Sequence, residues 1–491
     1  MNKFLKENIN KILSIFILLQ PVLDLITGIC VNVLNTNVTL GIIIRILFLA
    51  ILMYITVFIY KKKISLWTYL SIIFYSCFYL FGIILYNDGL IFQEIQGLVR
   101  VFYFPLILIS LYDLKDEIKI SNMTLITTLI MYLVFIFIPI TLNIGFKSYQ
   151  ITKSGTLGFY NSANEISGII SLLTPILFIL LKEKGKYLLK GILLLVYLIV
   201  ILTIGTKTPL LSLLITLGIS FLYLICNAVK KKKYKLIATS TIIIILGLIS
   251  LILVIPKTNF YKNIEVHLDF LEVDNILDVF KEKELIDHFI FSQRLTFLDN
   301  KNKVYSNSST YEKLFGIGYT NNSIMTKQIE IDYFDILYNH GIIGFIIFFG
   351  IYAYVFIKVL KERNKDKSYE NYMLKTSIFL VILLSFFTGH IITAPAVSIF
   401  AITLILSLNK TKKSIIYLTD NEKNTYKIKD IVINNENLII KNTNSSKLKV
   451  LLFNYHNYDI AIYSKDKDKV LASLYAKNTY KYSNKLKKIE L

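Results

Sequence analysis

Apolar residues in this chain come in long unbroken runs, and polar residues collect between them. The runs occupy 12–31, 40–60, 67–86, 98–112, 122–142, 164–181, 187–204, 209–229, 236–255, 335–359, 374–392 and 396–409. Most have the roughly 18–22 residues that carry a helix across a hydrocarbon core; 98–112 and 396–409 are short for it. Lipid tolerates only a backbone that satisfies its own hydrogen bonds. The pattern therefore predicts an all-α polytopic membrane protein of about twelve transmembrane helices. A polar interruption at 256–334 is too long to be structureless. Within it, Val266, Phe270, Val273, Leu277 and Phe280 recur at helical spacing, which predicts two or three extramembrane helices over the bundle. After residue 409 the chain turns rich in Lys, Asn and Tyr, with strand-like runs at 430–433, 448–453 and 459–463. The expected organisation is a membrane domain over 1–409 and a small β-rich cytoplasmic domain over 410–491.

Composition adds an orientation. The chain is 55% hydrophobic with a formal charge of +21, and much of its lysine lies in short clusters between apolar runs. Lys61–Lys63, Lys182–Lys186, Lys230–Lys233, Lys358–Lys367 and Lys410–Lys413 all fall on one side of an alternating topology. By the positive-inside rule that side is the cytoplasm, with both termini inside and the 256–334 loop outside. The basic charge thus reports membrane topology rather than nucleic-acid binding. Cys30, Cys77 and Cys226 sit in apolar runs without metal-ligand spacing, and the histidines do not cluster. Neither a disulfide framework nor a metal site is expected. No small-residue cleavage site follows the first run, so no cleavable signal peptide is expected.

Charge placement brings in chemistry. Of 54 basic residues only Arg45, Arg100, Arg294 and Arg363 are arginine. Arg45 lies about one and a half turns inside the outer end of the second run. Arg100 is near the outer start of the fourth, and Arg294 is in the outer loop. Lys207, in Gly205-Thr206-Lys207-Thr208-Pro209, breaks the positive-inside pattern at an outer turn. A charge at membrane depth costs about 2.5–3.5 kcal/mol on insertion scales, which makes such residues functional candidates. Each also has a plainer reading: Arg45 is matched in depth by Asp24, and Arg100 or Lys207 alone could snorkel to the interface. The turn Ser154–Glu165 leads into a helix that Asn161, Ser162 or Asn164 would cap, and a helix N-terminus suits an anion. Glu330 and Asp332 stand just before the tenth run; two apart, they cannot share one helix face. His340 reads as a packing residue, His267 and His288 as surface residues. Cations, a helix N-terminus and carboxylates together suit a lipid-linked diphosphate, with Glu330 or Asp332 as base and no cofactor.

The turn at 155–165, the 205–211 segment, the loop with Arg294 and Phe315-Gly316-Ile317-Gly318, and Gly341-Ile342-Ile343-Gly344 come in a characteristic order. In that order and topology the chain resembles the O-antigen ligase/O-antigen polymerase superfamily over most of 1–409. The resemblance implies an undecaprenyl-diphosphate-linked oligosaccharide donor and a glycan or surface-polymer acceptor, with polysaccharide-assembly proteins as partners. It implies diphosphate binding by Arg294 in the loop and by cations at outer helix ends, where Lys207 stands in place of a usual arginine; by their own placement Arg100 and Arg45 are expected to join them, with Asp24, Asn161 and Asn164 in support. One departure stands out: where ligases carry an activating His-Asn pair, this chain has Glu330-Ile331. The expectation is an inverting, metal-independent glycosyltransferase at the outer face, a polymerase rather than a ligase. The alternatives are a flippase for lipid-linked oligosaccharides, and a structural partner in wall assembly.

Overall fold

The computed structural model describes residues 2–36, 39–86, 90–118, 120–148, 154–232, 234–320, 328–362 and 367–408, and strand segments between 416 and 488. Arg363 lies outside the described residues. The chain divides into two units, Met1–Asn409 and Lys410–Leu491. In the second, described segments pair as short strands, such as Leu448–Phe453 antiparallel to Ile460–Ser464. Beyond such pairings, a β-rich fold for 410–491 rests on the sequence pattern.

The first unit is helical. Its helices are α1 Asn2–Asn32, α2 Leu40–Tyr54, α3 Lys63–Tyr86, α4 Ile91–Asp113 and α5 Asn122–Thr141. They continue with α6 Ala163–Lys182, α7 Tyr187–Ile204, α8 Thr208–Lys230 and α9 Tyr234–Val254. Short helices α10 Asn259–Phe270, α11 Lys283–Ile286, α12 Arg294–Asn307 and α13 Thr310–Phe315 follow. The unit closes with α14 Asp332–Glu362, α15 Tyr369–Phe387 and α16 Pro395–Ser407. Among the described residues, eleven helical spans are long and apolar enough to cross a membrane: α1–α9, with α2 prolonged by a π-helical turn over Ile55–Ile59, α14 and α15. The doubtful run at 98–112 belongs to the full-length α4, whose polar first turns had hidden its start. The run at 396–409 gives α16, 13 residues long. At 1.5 Å per residue that is about 20 Å, short of a hydrocarbon core of about 30 Å. The buried segment Ile391–Ala394 leads into it, so α16 begins inside the bundle from a re-entrant turn.

The least apolar spans, α4, α6 and α15, are the most enclosed, and the most apolar, α2 and α9, are left to lipid, as expected where the solvent is itself apolar. α6 is the most enclosed span and packs on α5, α8, α15 and α16; among its described residues α9 buries none and leans on α8. Apolar side chains left bare on the outer helices, such as Leu47, Phe74, Leu195 and Ile252, are what a lipid-facing surface requires.

The 256–331 segment differs from the single periodic pattern read in the sequence. α10 ends at Phe270 because Glu272 takes a left-handed conformation (φ 54°) and Val273 N–H returns to the Leu268 carbonyl at 3.1 Å, closing the helix end. Phe270, Leu277 and Phe280 are then exposed rather than sharing a buried face. Below them α13 crosses a break in α14 at Gly341 (φ 65°, ψ −176°), a conformation essentially reserved for glycine. The break leaves carbonyls unpaired within α14: Ile317 N–H bonds that of Tyr338 at 3.0 Å, and Gly318 N–H that of Asn339 at 3.2 Å. A Cβ on Gly316 would stand 2.1 Å from the Asn339 carbonyl oxygen. The paired glycine motifs are therefore the two halves of one backbone crossing.

Candidate active site

The loop end of the bundle collects the charged residues singled out in the sequence, but it pairs them selectively. Arg45 on α2 is buried, its Nε and Nη2 bonded to Gln20 Oε1 at 3.1 and 2.9 Å. Nη2 also pairs with Asp24 Oδ1, and the Tyr132 hydroxyl donates to Asp24 Oδ2 at 2.5 Å. Of the two readings of Arg45, the geometry realises the Asp24 pair. A buried ion pair needs this kind of full hydrogen bonding to offset its desolvation. Gln20 was not legible as a partner because a lone amide in an apolar run carries no distinctive pattern.

Arg294 is placed by local structure. Gln293 and Ser292 adopt positive φ, and Asp287 caps the first turn of α12 by accepting from Leu295 N–H, Thr296 N–H and the Thr296 hydroxyl. Arg294 itself is buried. Its guanidinium donates to the Phe387 and Thr388 carbonyls, both at 3.2 Å, and to Glu330 Oε2 at 2.8 Å. A cation at the carbonyl end of α15 also meets the favourable end of the helix dipole. Lys207 bonds the Phe289 carbonyl and lies 3.9 Å from the Phe289 ring centroid, bracing the turn just before Arg294.

The two acidic candidates have different surroundings. Glu330 has φ 61° and precedes α14, so the helical-face argument does not govern it. Asp332 starts α14 and is buried. Its carboxylate accepts from His390, Ile391 and Ile392 N–H at 2.7, 2.9 and 3.0 Å, and from the Thr393 hydroxyl at 2.6 Å. Four donors occupy both oxygens, so this group holds the re-entrant turn. Glu94, at the start of α4, does the same for Tyr319 N–H, Thr320 N–H and the Thr320 hydroxyl. Glu94 was passed over because an acid in the first turn of a helix is commonplace.

The turn that Asp332 holds carries a histidine that the sequence reading missed. His390 (φ 57°) places Nδ1 3.3 Å from Arg100 Nη2, and the same guanidinium nitrogen lies 3.6 Å from Glu165 Oε1. Arginine only donates, so Nδ1 is the acceptor. A Cβ on Gly389 would lie 2.3 Å from the Glu330 carbonyl oxygen, so this turn passes directly against the residue standing where a histidine was expected. Its only sequence signal is Thr388-Gly389-His390 at a helix end. Among Asn161, Ser162 and Asn164, Ser162 caps α6, accepting from Glu165 N–H; Asn161 Oδ1 accepts from Asn32 instead, and Asn164 occupies the first turn.

Away from Arg100, Lys301 is buried and donates to Asn339 Oδ1 at 2.5 Å. Burial holds its amine below the usual lysine range, with Asp335 and Glu94 pulling it back up. His340 accepts or donates at Nε2 to the Tyr319 hydroxyl, 2.8 Å away, and is buried as a packing residue would be. His267 is buried against Phe289, contrary to the surface reading, while His288 contacts Gln293.

Fold and site together define a multi-pass helical membrane protein with a charged, hydrogen-bonded centre at one end of its bundle. Residues 6–284 and 275–411 match the family described as O-antigen ligase like membrane protein, and the chain belongs to that family. Membership makes it a membrane enzyme of surface-polysaccharide assembly. No curated protein matches the chain at a significant level.

Proposed function

We propose that the chain transfers a glycan from a polyprenyl (undecaprenyl) diphosphate to a hydroxyl of an acceptor glycan or surface polymer, outside the cytoplasmic membrane. The observation that carries this reading is the guanidinium of Arg100, whose side chain is 40% exposed where Arg45 and Arg294 are closed off. Its 3.6 Å approach to Glu165 is longer than the roughly 2.7–2.9 Å of a charge-assisted hydrogen bond, so the pair is readily exchanged. Diphosphate oxygens take the place of Glu165 and His390 on Arg100. The exchange frees His390 Nδ1 and Glu165 Oε1 at the moment the substrate arrives. The acceptor hydroxyl oxygen then bonds to the anomeric carbon as the carbon–oxygen bond to phosphate breaks. The prenyl diphosphate leaves with the electron pair, and the hydroxyl proton passes to the freed base. A single displacement of this kind inverts the anomeric carbon.

In this reading Arg294 and Glu330 tie the loop to α15, Asp332 and Lys207 hold the two turns, and Arg45 with Asp24 stabilises the helix ends. The polymerase preference drawn from Glu330 is weakened by His390, which supplies an imidazole from another loop. We retain a polymerase as the form to test. Purified protein in vesicles is given a lipid-linked repeat unit, and the products are run on a gel. A ladder is expected, and Arg100→Ala should lower it about 100-fold with the thermal transition unchanged. Transfer to a second acceptor without a ladder would reassign the protein as a ligase. Movement of the lipid without bond formation would overturn the proposal in favour of a flippase.

A further inference from the structure

A cavity of about 50 Å³ opens between α1, α2 and the start of α6. Asp24 and Thr27 from α1, Arg45 from α2, Tyr160, Asn161 and Ser162 from the turn, and Glu165 and Ile166 from α6 line it. The Glu165 carboxylate that faces this cavity also faces Arg100, so cavity and proposed diphosphate position share a wall. The enclosure is built rather than incidental. α1 presses on the turn so closely that a Cβ on Gly28 would lie 2.0 Å from the Phe159 carbonyl oxygen.

Tyr160 is the informative residue. It is fully buried, its ring is fixed 5.5 Å from that of Tyr132, and its hydroxyl has no hydrogen-bond partner among the described residues. Asp24 is near but already engaged, with Arg45 on one oxygen and Tyr132 on the other. A buried hydroxyl without a partner is costly, so its natural complement is a ligand group that can enter. Burial beside Asp24 raises the phenol well above its ordinary range, which keeps it protonated and able to donate.

Charge decides the ligand class. Two carboxylates, Asp24 and Glu165, face the cavity against one guanidinium, that of Arg45, which is already engaged by Gln20 and Asp24; Arg100, the partner of Glu165, is the group given to the diphosphate. A phosphate entering here would meet like charge. Sugar hydroxyls donate to carboxylates and accept from a phenol, which is the combination on offer. We propose that this cavity seats the hydroxyl-bearing edge of the sugar next to the diphosphate and thereby selects the glycan. This rests on the glycan-transfer reading above.

Full-length protein in lipid nanodiscs tests it by calorimetric titration with two kinds of probe. One is a short-chain prenyl diphosphate carrying glucose, galactose or N-acetylglucosamine; the other is the same prenyl diphosphate without sugar. Tyr160→Phe and Thr27→Val should each weaken the best sugar-bearing probe about 3- to 10-fold, the span of one hydrogen bond, and leave the sugar-free probe unchanged. Tyr160→Phe should not lower the thermal transition, since it removes a hydroxyl that is unpartnered in the empty protein. Equal affinities for both probe types in wild type and variants would overturn the inference and leave a water-filled cavity. Loss of binding of the sugar-free probe by the wild type counts against the diphosphate reading alone. The sugar-bearing probes still compare wild type with Tyr160→Phe in that case.

Discussion

Replacing Asp332 separates a structural carboxylate from a chemical one. In Asp332→Ala two buried backbone N–H groups, those of Ile391 and Ile392, and the half-buried N–H of His390 lose their acceptor, and the Thr393 hydroxyl loses a 2.6 Å partner. Each unsatisfied buried donor costs about 1–3 kcal/mol, so the two buried N–H groups together cost roughly 2–6 kcal/mol, and the half-buried one adds less because water reaches it. Water entering the turn relieves part of this, and ~4 kcal/mol is a fair central value for the variant. That is a large share of the roughly 5–15 kcal/mol that holds a typical domain together. Asp332→Asn keeps one acceptor oxygen but turns an NH2 towards donors, so about half the loss is expected. Two measurements go together: the thermal transition in detergent, and amide hydrogen exchange over 389–393. Both should fall in the order wild type, Asn, Ala, and polymer formation should follow them because His390 is displaced. An inactive Asp332→Asn with unchanged melting and unchanged exchange would refute the reasoning and return Asp332 to the chemistry.

Other residues give sharper local tests. Arg294→Lys keeps the charge but cannot reach Glu330 and both carbonyls of α15 at once, so polymer yield should drop at least about 10-fold and exchange at 387–388 should rise; normal long-chain product would contradict the clamp. Gly341→Ala puts a side chain at φ 65° and a Cβ 2.5 Å from Gly316 N; a loss of about 3 kcal/mol or more in stability is expected, and a variant that melts like wild type would show that α14 can straighten. Arg45→Met and Asp24→Asn should each destabilise by about 3–5 kcal/mol, and the double variant by clearly less than their sum; simple additivity of melting shifts would mean the two residues do not act as a pair.

The membrane fold was legible because its causes are local. Run length and the lysine clusters need no knowledge of tertiary contacts, and Ser162 marks a helix start through a residue only three positions away. Local cues misled where a helix is cut by backbone conformation rather than by composition, as at Glu272, and where polar first turns masked the length of α4. The site is a different matter. The sequence by itself placed Lys207 at a turn and Arg294 in the long loop, and put Arg45 just inside the start of its helix; Arg100, expected at a helix start, lies ten residues into α4 because that helix begins at Ile91. Only the tertiary structure decided which of them are spent on partners. Arg294 is closed by Glu330 and the end of α15, Arg45 by Asp24, while Arg100 meets His390 from 290 positions away. The physical reason is that availability of a charge depends on every donor and acceptor brought near it in space, and at these separations no periodicity in the chain records that.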